Sequence, residues 1–371
     1  MYWPRRRDIM GTSPIASQDD QIPAARPRKS RRPTIRDVSQ LAGVSRMTVS
    51  RVISDPELVL PATRAKVLRA IADLGYVPDK AAGSLSSRRT GFIALMLPTL
   101  TNANFAAVAH GLTEALRDAD YHLLIVYTEY DMAEEERQLR GLLARRPEAI
   151  VLTGATHSRE TGKLLLAADV PIIEIADLPS RPIGHVIGFS NYEVGRSAAR
   201  YLIERGFGRI GAVGAAADGS VIDHRGEQRM RGFEDELRYS GRDTGAVLRH
   251  GKAPLDYDHG AGAIDALLKA APDVEAVFAV SDLSAVGVVM ECQRRGIDVP
   301  GQISVIGFGD FAIGRIINPP LTTIHVDFTE LGRRTGKTLV ALLAADGDGD
   351  GTPGRVDVGL TIIERESVRP K

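Results

Sequence analysis

From Gly91 onward, short apolar runs alternate with stretches of helical periodicity, and this alternation restricts the fold of the 371-residue chain more than any other feature. FIALMLP, LLIVYT, AIVLT, PIIEIAD and HVIGF read as strands, with helices over 104–119, 132–145 and 191–204. RIGAVGA opens a second series, with strands EAVFAV and ISVIGFGD, helices over 226–239, 257–270 and 283–295, and a closing strand near 356–363. Such alternation predicts an α/β fold, in which parallel sheets are covered by helices on both faces. Ligands of these sheets sit at the carboxyl ends of the strands. Two facing sheets therefore enclose a cleft lined by loops from both.

Charge divides the chain differently. The totals balance at 47 basic and 47 acidic residues, yet residues 1–90 carry 17 Lys+Arg against 8 Asp+Glu. A basic head on an acidic body points to a polyanion-binding end and a body that does not bind polyanions. Residues 1–32, rich in Arg, Pro, Ser and Gln, are expected to form a disordered basic tail. Arg36, Arg46, Arg51, Arg64, Lys66 and Arg69 lie beyond it, in sequence with a folded pattern. The single cysteine, Cys292, cannot form an internal disulfide, which suits a reducing cytoplasm. No apolar run approaches the roughly 18 residues of a membrane span, and the amino end lacks the apolar region of a secretory signal.

The head reads as three helices. Thr34 is placed to cap a helix over 35–42, with Asp37 in its first turn and Ile35, Val38 and Leu41 or Ala42 at helical spacing. Gly43 permits a tight turn. Ser45 is placed to cap a second helix over 46–53, whose apolar stripe is Val49, Val52 and Ile53, and Pro56 stops it. A third helix over 62–74 is expected to bury Ala65, Leu68, Ile71, Ala72 and Leu74 before Gly75. The pattern fits a helix-turn-helix arrangement, and equally a small three-helix bundle with surface arginines; in a helix-turn-helix the second helix enters the major groove of double-stranded DNA. Arg46 and Arg51 are candidate base readers because arginine can donate two hydrogen bonds to guanine. Thr34, Ser45, Thr48 and Ser50 are candidate phosphate contacts.

TIRDVSQLAGVSRMTVSRVIS followed by LGYVPDKAAGSLSSRRT closely resembles the DNA-binding head and hinge of the lactose-repressor (LacI/GalR) family, densely over 34–90 and more loosely to the end. The resemblance implies that Arg46, Met47 and Arg51 face bases. It also implies that 81–87 becomes a hinge helix on the operator and that Leu85 wedges into the minor groove, bending the site. The expected divisions are a tail at 1–32, a DNA-binding domain at 33–79, a hinge at 80–90 and an effector-binding and dimerisation domain at 91–371. That last domain would be a periplasmic-binding-protein-like pair of lobes. The chain would cross between them near 188, 323 and 346, giving lobe one 91–188 and 324–345, and lobe two 189–323 and 346–371. One head covers one half-site, so a homodimer is expected.

Effector residues carry over singly. Asn104 and Phe105 follow the first strand, Asp177 and Leu178 follow PIIEIAD, Arg229 stands in RMRGF as a cleft cation, and Ser281 and Asp282 stand in VSD. Many sugar-binding members have an aspartate where this chain has Gly309; Asp310 comes one residue later. LPTLTNxxF, IVLTxxTH, ECQRRG and GFGDFAIG look closest to the family's regulators of gluconate use. A sugar acid needs a cation for its carboxylate, which Arg229 could supply. Its hydroxyls need polar partners, for which Asn104, Thr153, His157, Glu174 and Asp177 are candidates. The expected function is a repressor of carbohydrate or sugar-acid utilisation genes, released from operator DNA by a small-molecule effector, without cofactor, metal or membrane.

Other signals count for less. Asp346, Asp348, Asp350, Gly351 and Asp357 have the spacing of a calcium loop, but Pro353 and the lack of an exiting helix favour a soluble connection. Neither a phosphate-cradling GxxxxGK[ST] loop nor a GxSxG elbow is present, so catalysis has little support. The rival readings are a carbohydrate-processing enzyme and a passive sugar-binding module, each with a basic anchoring head.

Overall fold

The computed structural model describes residues 31–78, 90–345 and 354–369. The expected tail up to residue 30, the hinge segment 81–87 with Leu85, and Asp346–Gly351 lie outside the described residues. The chain divides into two units, 1–86 and 87–371.

In the first unit, α1 is Ile35–Ala42, α2 Arg46–Ser54 and α3 Pro61–Leu74. The Asp37 carboxylate accepts hydrogen bonds from both the backbone N–H and the hydroxyl of Thr34, each at 2.7 Å. Gly43 adopts φ 67°, a left-handed conformation that a side chain would penalise, and so turns α1 into α2. Ser45 Oγ caps α2 by accepting from Thr48 N–H at 3.1 Å. Val38, Val49, Val52, Val67 and Ala70 form the small core. Two expectations are corrected. Ile53 is 38 % exposed, and α3 turns Ala65, Leu68 and Ala72 to solvent. Val67 and Leu68 lie about 100° apart on a helix, so only one can face the core. Packing on α1 and α2 selects the face of Val67, Ala70, Ile71 and Leu74.

The second unit contains two sheets. Its first series runs β1 Phe92–Leu97, α4 Ala103–Leu116, β2 His122–Tyr127, α5 Met132–Leu143, β3 Ala149–Thr153, α6 Arg159–Leu166, β4 Ile172–Ile175 and β5 His185–Gly188. The second runs α7 Asn191–Glu204, β6 Ile210–Gly214, α8 His224–Tyr239, β7 Val247–Arg249, α9 Tyr257–Ala270, β8 Ala276–Ala279, α10 Asp282–Arg294, β9 Ser304–Phe308, α11 Ala312–Ile316 and β10 Thr322–His325. α12 Phe328–Ala344, β11 Arg355–Asp357 and β12 Thr361–Ile363 complete it. The first sheet has the order β11-β5-β4-β3-β1-β2, with every pairing parallel. The second has the order β12-β10-β9-β8-β6-β7 and is parallel except for β12 against β10.

The closing stretch differs from expectation. It is two strands, β11 in the first sheet and β12 in the second, so the last crossing falls at 358–360 rather than near 346. Val358 and Gly359, whose φ is 73°, break the run. β10 stays in the second sheet, so the preceding crossing follows His325.

A glycine pair sets the position of the site. Where α7 and α8 cross, a Cβ on Gly195 would lie 1.8 Å from the Arg229 carbonyl oxygen, and one on Gly232 would lie 2.0 Å from that of Tyr192. Only hydrogen at both positions lets α8 come so close. Phe189, Phe308 and Phe328, with ring centroids 5.7–6.3 Å apart, join the two lobes beneath the cleft. Among the described residues, no helix is long and apolar enough to cross a membrane.

Candidate functional site

Two surfaces carry the candidate chemistry. On the first unit, α2 presents Arg46, Met47, Ser50 and Arg51 to solvent, with Met47 71 % exposed. These residues fall on the outer side because Val49 and Val52 bury the opposite one. Neither the Arg46 nor the Arg51 side chain has a hydrogen bond or ion pair among the described residues, whereas the Arg64 side chain is tied to Glu57 at 2.6 Å. Ser45 and Thr48 share a hydrogen bond at 2.9 Å in the cap, and Thr34 is engaged with Asp37. The described sequence candidates of the head thus run along α2 from Ser45 at its cap to Arg51 in its last turn, with Thr34 apart at the start of α1 and the capping hydroxyls already holding the helix geometry.

In the second unit, a cleft of about 560 Å³ opens at the carboxyl ends of the strands. Asn104 and Phe105 reach it from the first turn of α4, where Asn102 caps the helix by accepting from Asn104 N–H at 3.0 Å. Ser281 reaches it from the cap of α10. Asp223, Arg225 and Arg229 reach it from the start of α8. Arg229 is 6 % exposed. Its Nη1 donates to Asn191 Oδ1 at 2.6 Å, its Nη2 lies 3.8 Å from Asp223 Oδ2, and its guanidinium sits 4.5 Å from the Phe308 ring centroid. Its Nε is buried without a hydrogen-bond partner among the described residues. Burial pulls its pKa below the ordinary arginine value, but arginine keeps its charge in proteins. Arg225 donates to the Thr153 carbonyl at 3.2 Å. The charged groups lining the cleft are these two guanidiniums and one carboxylate, so the cleft is cationic.

The lobes also meet directly. Ile222 N–H donates to the Tyr130 carbonyl at 3.1 Å, and Gln228 Nε2 donates to Asp177 Oδ2 at 3.0 Å. Thr153 and Asp177 border a neighbouring chamber that shares Tyr130 and Arg225 with the cleft.

His157, Glu174, Asp282 and Asp310 line neither the cleft nor the neighbouring chamber. His157 and Glu174 form a buried structural group. His157 Nδ1 is 2.9 Å from Glu135 Oε1, and its Nε2 is 3.6 Å from Glu174 Oε1. Burial opposes the imidazolium, but the two glutamates outweigh it and push its pKa up to about 9. Glu174 also accepts from Ile183 N–H at 2.7 Å. Asp282 is fully buried, accepting from Phe311 N–H at 2.9 Å and from the Thr323 hydroxyl at 2.6 Å, and burial raises its carboxyl to about 7. It braces the loop that carries Phe311 into the cleft. Asp310 turns to Arg365, Arg315 and His325. At Gly309, a Cβ would stand 2.8 Å from Asn104 Nδ2 and 2.7 Å from the Phe311 ring, so the space of a side chain there is taken.

Sequence reading missed Asp223, Arg225 and Tyr130. Arg225 stands four residues before Arg229, hence on the same helix face, and a helix start set at 226 hid it. Tyr130 gave no signal, since its place depends on two successive left-handed residues, Glu129 at φ 50° and Tyr130 at φ 63°.

Comparison with known proteins matches both units. Residues 34–79 match the family described as bacterial regulatory proteins, lacI family, and 199–368 match the periplasmic binding protein-like domain. The chain is 31% identical to the HTH-type transcriptional regulator GntR of Escherichia coli (strain K12), over 92% of this chain and 100% of that one. A crystal structure of a LacI-family transcriptional regulator from Silicibacter pomeroyi aligns with TM-score 0.83 and 31% identity, covering 90% of this chain and 99% of that one. The lac repressor dimer bound to operator and an anti-inducer shares the fold, with TM-score 0.77 at 22% identity over 91% and 99% of the two chains.

Proposed function

The chain belongs to the lacI family of bacterial regulatory proteins and is a DNA-binding transcriptional regulator, and we propose that it represses genes of sugar-acid use and answers to a carboxylated sugar held on Arg225 and Arg229. The observation that carries the ligand class is the Nε of Arg229, buried in a cationic cleft without a partner. A buried donor left unpaired costs roughly 1–3 kcal/mol. A carboxylate would satisfy it and balance the excess guanidinium charge. Asn104 and Ser281 then face the hydroxyls.

Residues 33–79 act as the reading domain, with Arg46, Met47 and Arg51 toward bases and Thr34, Ser45, Thr48 and Ser50 toward phosphates. Residues 80–90, including Leu85, serve as the hinge. Two copies bind one operator, as the lac repressor dimer does. The acid favours one arrangement of the lobes, and that population shift alters operator affinity. The protein performs no catalysis and works in the cytoplasm, beside the DNA it reads.

Calorimetry of the full chain with gluconate and with neutral glucose tests the reading. Gluconate is expected to bind and glucose not to. Arg229→Met, which keeps the apolar stem over Phe308, is expected to lose gluconate binding while retaining operator binding. Equal binding of both sugars would remove the acid from the proposal.

A further inference from the structure

A second chamber, open to solvent, adjoins the cleft, and Tyr130 and Arg225 line both. Its character is opposite. Asp131, Glu135 and Asp177 line it with the hydroxyls of Thr153 and Thr156, and Arg225 stands at its boundary with the cationic cleft. Each carboxylate is partly committed. Asp131 Oδ1 accepts from Ala133 N–H at 2.8 Å, Glu135 Oε1 meets His157, and Asp177 accepts from Leu178 N–H and Gln228. The second oxygens of Asp131 and Glu135 take no hydrogen bond among the described residues. His224 also lines the chamber, and its Nε2 is buried without a partner. Acceptors shared among several side chains suit hydroxyl groups spread around a ring, whereas a single ammonium would require them to converge.

We infer that the effector is two-ended: an aldonic acid whose carboxylate lies on Arg225 and Arg229, carrying a glycosyl unit whose hydroxyls fill the chamber lined by Asp131, Glu135 and Asp177. The inference rests on the acid reading of the cleft and extends it to ligand size. A ligand that touches Thr153 and Asp177 of lobe one and Arg225 of lobe two spans the seam where Tyr130 pairs with Ile222. It binds the closed arrangement of the lobes more tightly than an acid confined to the cleft.

The experiment is calorimetry of the full chain with gluconate and with three glycosyl gluconates of different linkage: lactobionate, cellobionate and maltobionate. At least one of the three is expected to bind about tenfold tighter than gluconate, a gain of roughly 1.4 kcal/mol. Thr156→Trp fills the chamber from an exposed loop position. It is expected to abolish that gain and leave gluconate affinity unchanged. Ala155→Leu, a smaller intrusion into the same chamber, repeats the test should the tryptophan variant not fold. The inference is overturned if gluconate binds and none of the three larger acids binds better, or if both variants weaken the small and large acids alike. If no acid of either size binds, the arginine reading itself has failed.

Discussion

Arg51 and His157 show how differently two charged side chains can be used. Arg51 is exposed on the outer face of α2, its side chain without a partner among the described residues, so its hydrogen-bonding capacity is available to a partner. Arg51→Ala is expected to flatten preference at one operator position, with a loss of about 1–3 kcal/mol against the best base. Affinities for operator variants measure this, and an unchanged ranking would end its role as a reader. His157 is spent inside the protein. Its folded pKa of about 9 lies above the ordinary 6.5, so its contribution is full below pH 6.5 and lost as pH rises through 9. The loss is on the order of 3 kcal/mol. Urea midpoints from pH 6 to pH 10 are expected to fall further for the native chain than for His157→Gln; Asp282, raised to about 7, lowers both at the acid end of that window, so the divergence of the two curves above pH 8 reports His157. Residue type marked Arg51 for the outer face of α2, where it is exposed, because an arginine at the surface needs no tertiary partner. It misassigned His157, Glu174, Asp282 and Asp310, because a polar side chain near a strand end can point to the ligand or into the supporting lattice, and only packing chooses.

Elements were legible where local rules suffice. α1 with its Thr34 and Asp37 contacts, α2 with its Ser45 cap and the Gly43 turn depend on neighbours within four residues. α7 and α9 also match the expected bounds, because their apolar spacing continues to the ends. The face of α3 and the division of 355–363 between two sheets were not legible, since both depend on what lies across from them. The crossing of α7 and α8 is the element-scale determinant of the site. Gly195→Ala forces a methyl against the Arg229 carbonyl, and overpacking of this kind costs about 1–3 kcal/mol. The variant is expected to lower the denaturation midpoint and weaken gluconate binding together, because Arg229 moves with α8. Full effector affinity in a destabilised variant would show that the crossing serves stability alone.

At the scale of the molecule, the charge split becomes a division of labour. The basic end meets DNA phosphates, and the cleft holds its arginines out of reach of counterions. Raising salt from about 50 to 200 mM is expected to cut operator affinity by roughly a thousandfold, because counterions released from DNA set that slope. Acid affinity is expected to change less than about threefold, since buried pairs are weakly screened. Parallel titrations by gel shift and calorimetry measure both, and a common slope would mean that the two sites are not electrostatically separate. Read alone, the sequence determined the three-helix head, the alternating α/β body and the basic and acidic halves, all of which follow from local periodicity and residue type, while one of the two cleft arginines, Arg229, was marked only by the resemblance of RMRGF to its family. Only the tertiary structure decided that Arg225 joins Arg229, that Tyr130 lies between two chambers, and that His157, Glu174, Asp282 and Asp310 brace the lobes. Those roles depend on which backbone comes close to which, as at Gly195 and Gly232, and distances between segments far apart in the chain are not written in either segment.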